Sequence, residues 1–353
     1  MHSTSDRGLD RGVDRSLDRP LRRPLVIGHR GAPGYRPEHS EASYRLAFDL
    51  GVDAVEPDIV VSKDGVLVVR HENEISGTTD IAKRPEFAHL RTTKTVDGKK
   101  LTGWFTEDLT WAELSTLRCR ERLSKLRPDN LAFDGEQPIL RLSDVLGIVD
   151  EESGRLGRTL GAVVEIKHAA FYEAIGVNIG ALLLAQLERS GWASTPERLT
   201  IESFELRVLD ELRRAGVQGS LVYLTERFGS AADEPQPGAP ARNYAWYRSD
   251  EGLALLGERV HGISVAKGSL LKLGALGRAT GPTDLVERAH AAGLQVYTWT
   301  LRPENRYLNV RFQSSLRPAD WGKWQAEFAM ILASGVDGIF VDHPDLGVAI
   351  RDA

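Results

Sequence analysis

Two short runs combine residue types that make poor core and useful chemistry. Gly28-His29-Arg30-Gly31 ends the apolar run Leu25-Val26-Ile27, and Glu56-Pro57-Asp58 sits within a second run, Ala54 to Val61. Imidazole, guanidinium and carboxylate groups are seldom buried without a partner or a metal. The C-terminal ends of parallel strands, by contrast, are where α/β folds assemble their sites. Charged or polar residues recur at comparable positions: His71, Glu165, Lys167 and Asp342. Three carboxylates, Glu56, Asp58 and Glu165, repel one another unless a cation lies among them, and an all-oxygen set suits Mg²⁺ or Ca²⁺ better than Zn²⁺. Arg30 and Lys167 supply the donors a phosphate needs. Two histidines, His29 and His71, can serve as general base and general acid near neutral pH. This set points to metal-dependent chemistry on a phosphate ester. A plainer reading pairs Glu56 and Asp58 with Arg30 and Lys167 as salt bridges, and treats Glu165-Ile166-Lys167 as a common tripeptide.

The elements that must position these residues follow from apolar pattern and turn chemistry. Short buried-type runs are expected as strands at Leu25 to Gly28, Ala54 to Val61, Ala162 to Lys167, Leu199 to Ser203, Ser220 to Leu224, Gly262 to Val265, Gln295 to Thr300 and Gly338 to Asp342. Helical patterns fall between most of them, from Ser40 to a stop at Gly51 and at Ile175 to Arg189, Leu206 to Ala215, Thr283 to Ala292 and Trp324 to Ala333, with Gly191, Gly216, Gly293 and Gly335 as C-caps. Lys63-Asp64-Gly65 is too short for a parallel crossover, so Val66 to Arg70 must return antiparallel. With Ser62 facing Gly65, Glu56 lies opposite His71, which brings the second histidine to the carboxylates. Eight β/α repeats with one hairpin partner predict a TIM (β/α)8 barrel. Residues 73–160 are long for one connection and read as an inserted subdomain with its own helices, one opened by the capping box Thr110-Trp111-Ala112-Glu113.

The whole chain narrows the function classes. Its 353 residues carry a formal net charge of −5, which argues against a nucleic-acid partner but leaves room for a small anionic substrate. The single cysteine, Cys119, excludes an intramolecular disulfide and reads as an inert thiol. No apolar run approaches the ~20 residues of a membrane span, so no stable membrane association is expected. Residues 1–24 read as a disordered mixed-charge tail, with Arg22-Arg23 followed by no hydrophobic signal region, leaving residues 25–353 as a single domain and a cytoplasmic location as the expectation.

In order along the chain, His29-Arg30-Gly31-Ala32, Pro37-Glu38-His39-Ser40, Glu56-x-Asp58, His71, Glu165-Ile166-Lys167, Ser203-Phe204, Trp299-Thr300 and Gly335-Val336-Asp337-Gly338 resemble the glycerophosphodiester phosphodiesterase family. The resemblance implies a TIM barrel, one divalent cation, and hydrolysis of glycerophosphodiesters such as glycerophosphocholine to sn-glycerol 3-phosphate and an alcohol. The long segment after His71 is similar to the bacterial branch with an enlarged insertion, in which Ca²⁺ is the usual metal and Mg²⁺ the alternative. By position, the resemblance makes His29 the base and His71 the acid, Glu56, Asp58 and Glu165 the metal ligands, and Arg30 and Lys167 the phosphate ligands. Phe204 and Trp299 then line the glycerol side. The family carries Asp after the second histidine where this chain has Glu72, and His343 is an extra imidazole near the mouth, read as surface or structural. The attacking group is either water or the substrate's glycerol 2-hydroxyl. Competing readings are phospholipase D-like action on choline lysolipids, a barrel that binds phosphodiesters without catalysis, and a sugar-phosphate isomerase.

Overall fold

The computed structural model describes residues 23–353, so the expected tail lies, up to residue 22, outside the described residues. The first strands are β1 (Leu25–His29), β2 (Ala54–Glu56), β3 (Asp58–Val61) and β4 (Leu67–Val69). An exposed hairpin follows, β5 (Thr92–Val96) with β6 (Lys99–Gly103). Next come β7 (Gly161–Ile166), β8 (Leu199–Ser203), β9 (Ser220–Thr225) and β10 (Gly262–Ala266). A second small hairpin, β11 (Leu271–Leu273) with β12 (Ala279–Pro282), precedes β13 (Gln295–Leu301) and β14 (Gly338–Val341). Counting β2 and β3 as one strand, eight parallel strands close on themselves in the order β1, β2–β3, β7, β8, β9, β10, β13, β14 and back to β1. The chain is a TIM barrel, as its repeats predict.

The second strand is split because Pro57 has no N–H to give the ladder; its carbonyl still accepts from Glu165 N at 3.0 Å. The hairpin register differs from expectation. Ile59, Val60 and Val61 pair with Val69, Val68 and Leu67, one residue beyond the two-residue turn. The loop holds three residues, Lys63 to Gly65, closed by Ser62 N to Val66 O at 3.0 Å, with Gly65 left-handed at φ +78. A three-residue loop of this kind places its glycine in the αL position. Asp58 therefore lies beside Arg70, and His71 is one step displaced from Glu56.

Most helices fall where the pattern put them. Ser40 caps Glu41–Asp49 by accepting from Ser43 N, and Gly191, Gly216, Gly293 and Gly335 all take positive φ. The helix expected from Ile175 starts instead at Ile179 and runs to Arg189, because Gly176 turns left-handed and Asn178 caps it, and a short helix not foreseen, Ala169–Ala174, precedes it. Leu142–Leu156 packs against Glu41–Asp49 outside the barrel, where Arg45 and Glu152 pair at 2.7 Å.

The barrel interior is filled by Ile27, Ala54, Val163, Val222, Tyr297 and Phe340, packed with Trp299. Successive side chains on a strand alternate faces, so the residue two further on points the same way. Two steps from these apolar residues lie His29, Glu56, Glu165, Trp299 and Asp342. The layer that plugs the barrel thus also sets the layer above it, where the chemistry collects at the C-terminal mouth.

Candidate active site

At that mouth opens a cleft of about 1060 Å³. Its walls include His29, Arg30, Glu56, His71, Glu165, Lys167, Phe204 and Trp299, all but one of the nine residues that the sequence singles out. The ninth, Asp58, is wholly buried at its edge.

The turn after β1 is demanding. Arg30 and Gly31 are both left-handed, at φ +58 and +94. A Cβ on residue 31 would come within 2.5 Å of Ser43 Oγ, so only glycine fits there. A left-handed arginine costs about 1–2 kcal/mol. That cost is offset by bonds from Arg30 N to the Glu56 carbonyl (3.1 Å) and to Glu56 Oε2 (2.8 Å), and by the link of Ser43 Oγ to Arg30 O (3.2 Å). The buried guanidinium lies between Glu38 (3.2 Å) and Asp58 (3.1 Å), and their charges outweigh burial and hold it firmly protonated.

Each histidine is held by a carboxylate at Nδ1. His29 Nδ1 lies 2.7 Å from Asp342 Oδ1. His71 Nδ1 lies 2.6 Å from Glu72 Oε1, so the longer acidic side chain after the second histidine still reaches the ring. An ionised carboxylate only accepts, so Nδ1 carries the proton in both rings and Nε2 is left as an acceptor. Lys167 Nζ donates to His71 Nε2 at 3.2 Å and to Glu165 Oε1 at 2.7 Å. Burial and the Arg30 charge depress the His29 imidazole to about 3 against the pull of Asp342. Burial, Arg30 and Lys167 do the same to His71. Both rings are neutral at physiological pH.

Three carboxylates from three adjacent strands converge: oxygens of Glu56, Glu165 and Glu202 all lie within 4.8 Å of one another. Glu202 is absent from the set read in the sequence. It lies directly beside Glu165 in the β7–β8 register, and a carboxylate inside the apolar run Leu199 to Ser203 was its only signal. Its Oε2 has no hydrogen-bond partner among the described residues, and neither has Asp58 Oδ1. Asp58 Oδ2 is engaged by His39 Nε2 at 2.8 Å, and His39 Nδ1 by the Tyr44 hydroxyl at 2.7 Å. Despite burial, Arg30 and Lys167 keep Asp58 ionised and well below the usual carboxylate range.

The other three are pushed up. Burial, reinforced by Asp58 and only partly countered by Lys167, raises Glu165 to about 8. Burial and neighbouring carboxylates raise Glu56 and Glu202 well above their ordinary values. A carboxyl raised by folding stabilises fully below its unfolded value, and that contribution is lost as pH climbs through the folded one. The buried histidines, depressed by folding, add stability as pH rises to about 6.5. Chelator-treated protein should therefore lose thermal stability between about pH 6.5 and 8, where Glu165 ionises. Glu38, Asp58 and Asp342 are held low and act below that window. A melting temperature in chelator that is flat from pH 6.5 to 8 would contradict the repulsion.

Phe204 and Trp299 meet edge to face at 5.7 Å between centroids, and Lys167 Nζ stands 5.5 Å over the Phe204 ring. His343, expected at the surface or in a structural role, is buried and packs edge-on to Tyr35 and Trp321. Cys119 is a buried free thiol beside Arg70. No helix among the described residues is long and apolar enough to cross a membrane.

Comparison with known proteins agrees with this architecture. The chain is 29% identical over 344 residues to a glycerophosphodiester phosphodiesterase of Arabidopsis thaliana, covering 90% of this chain and 82% of the relative. It is 25% identical to one of Haemophilus influenzae, covering 92% and 88%. The same fold occurs in a glycerophosphodiester phosphodiesterase from Agrobacterium tumefaciens (TM-score 0.56, 18% identity, 92% of this chain and 99% of that one). It occurs also in a phosphodiesterase from Oleispira antarctica solved in complex with the product sn-glycerol-3-phosphate (TM-score 0.59, 19% identity, 94% and 97%). Residues 29–346 match the family profile along nearly the whole barrel, and the chain belongs to the glycerophosphoryl diester phosphodiesterase family.

Proposed function

We propose that the chain hydrolyses glycerophosphodiesters to sn-glycerol 3-phosphate and an alcohol, with His29 as general base and His71 as general acid. The observation that carries this reading is the pair of imidazoles, each backed by a carboxylate at Nδ1, set in one cleft with the acidic cluster and Lys167. His29 Nε2 accepts the proton of the attacking water as the new P–O bond forms. Where the glycerol 2-hydroxyl attacks instead, the first product is a cyclic phosphate, which water then opens to glycerol 3-phosphate with the two histidines exchanging roles. Asp342 keeps the His29 ring in the right tautomer and offsets the charge it gains. The bond to the alcohol breaks, and the alkoxide takes a proton from His71. A substrate phosphate between Arg30 and Lys167 offsets the two cations that depress His71, so protonation of that ring accompanies binding. Phe204 and Trp299 present apolar faces to the glycerol carbons.

The carboxylates fit a divalent cation. All donors are oxygen, three are mutually close and buried, and Glu202 Oε2 and Asp58 Oδ1 have no hydrogen-bond partner among the described residues. Glu56, Glu165 and Glu202 would hold it, with Asp58 as a further ligand, and Ca²⁺ is the first choice, with Mg²⁺ second. Such an ion supplies Lewis-acid polarisation of a phosphoryl oxygen.

The test is glycerol 3-phosphate release from glycerophosphocholine by chelator-stripped protein, with Ca²⁺ or Mg²⁺ restored separately. Release should require one of the ions. Choline release from lysolipid vesicles without release from glycerophosphocholine would favour the phospholipase D-like reading. No turnover of either substrate with either ion would leave a phosphodiester-binding barrel.

A further inference from the structure

Arg127, Asn130 and Phe133 of the inserted segment meet the chain just after β1, at Pro33 and Arg36, and none of the three lines the cleft. Arg127 is nine-tenths buried and takes no part in the cleft wall. Its guanidinium uses all three nitrogens on three different parts of the barrel. Nε donates to Glu304 Oε1 at 2.8 Å, one terminal nitrogen to the Pro33 carbonyl at 2.9 Å, and the other to Asp342 Oδ2 at 2.6 Å. Arg302 Nε reaches the same Oδ2 at 2.6 Å. With Oδ2 taken twice, the carboxylate is turned so that Oδ1 faces His29. Arg302 lines the cleft, where an anionic substrate competes for it, whereas Arg127 is walled off and remains on the carboxylate. Asn130 adds a second bond from the segment to Pro33 O, at 3.0 Å, without touching Asp342.

We propose that Arg127 is a positioning residue for His29, acting through Asp342, so that the inserted segment completes the catalytic base from behind. The inference rests on the phosphodiesterase reading for its kinetic consequence and on the Arg127–Asp342–His29 chain for its geometry. A lysine at 127 reaches one of the three partners, and a methionine none.

Arg127→Met should lower kcat for glycerophosphocholine about 10–100-fold, the range for residues that orient a reacting group from behind, with KM changed no more than about 3-fold. Arg127→Lys should fall between the two. The second readout is the downfield proton NMR signal of the His29 Nδ1–H bonded to Asp342, identified by its loss in His29→Asn. It should shift or broaden in Arg127→Met. Asn130→Ala, which loosens the same segment, should lower the melting temperature yet keep that signal and kcat. If Arg127→Met proves unfolded, Arg127→Lys carries the comparison. A folded Arg127 variant with wild-type kcat and an unmoved His29 signal would overturn the proposal, as would an equal loss of kcat in Asn130→Ala. Failure of the wild type to release glycerol 3-phosphate would instead count against the phosphodiesterase reading, because the His29 signal tests the chain of contacts without turnover.

Discussion

Replacing His29 with asparagine should lower kcat by about 10²–10⁴-fold, the usual contribution of a positioned general base, with the fold intact. Asparagine has nearly the shape of the imidazole near Cβ, and its amide can still donate to Asp342, so the buried carboxylate keeps a partner. It has no nitrogen able to take a proton from the attacking group. Because the His29 ring is already neutral, its replacement changes no buried charge, and the melting temperature should move by only a few degrees. His71→Asn should differ in kind. A missing acid matters most for a poor leaving group, so this variant should recover much of its rate on a p-nitrophenyl diester, whereas His29→Asn should not. Full turnover of glycerophosphocholine by His29→Asn would remove His29 from the mechanism. Equal losses on both substrates for both variants would undo the separate assignment of base and acid.

Glu202→Gln separates two things the acidic cluster does. Without a cation, Glu56, Glu165 and Glu202 confront one another in a buried space, and burial and mutual repulsion hold all three well above the ordinary carboxylate range. Neutralising one relieves part of that repulsion, so in chelator the variant should melt at a higher temperature than the wild type above about pH 7. With a divalent cation the order should reverse. Wild-type protein gains stability according to how far the ion exceeds its dissociation constant, and the variant, short of one charged oxygen ligand, should bind the ion at least about 100-fold more weakly. The measurement is a pair of melting curves, with chelator and with Ca²⁺ at fixed concentration, together with calorimetric titration of the ion. Unchanged Ca²⁺ affinity in Glu202→Gln would exclude this glutamate as a ligand and return the site to Glu56, Asp58 and Glu165.

The barrel and most of the residues at its mouth are legible in the chain itself, because both depend on local pattern. Buried parallel strands read as short apolar runs, and a charged residue two steps beyond an apolar one must share its face, which identifies His29, Glu56 and Glu165 without coordinates. The left-handed Gly31 and the cap at Ser40 are equally local. The β5–β6 hairpin, turning at Asp97-Gly98 with both residues at positive φ, stands in an insertion where helices are expected. The hairpin register is a near case. Ser62 to Val66 admits either a two- or a three-residue loop, and only packing of the flanking strands selects the longer one.

What the sequence leaves open is which carboxylate meets which partner. Asp342 is visible at a strand end, but its bonds to His29, Arg127 and Arg302 join residues 313, 215 and 40 positions apart. Glu202 resembles any acid in a strand until the β7–β8 register sets it beside Glu165. Asp58 and Glu165 belong to the same visible set, yet Asp58 turns one oxygen to His39 and Arg30 while Glu165 faces Glu56 and Glu202. A strand's own pattern determines which way a side chain points. Closure of the barrel and the docking of the inserted segment determine what it finds there, because those contacts are made between elements that carry no local record of one another.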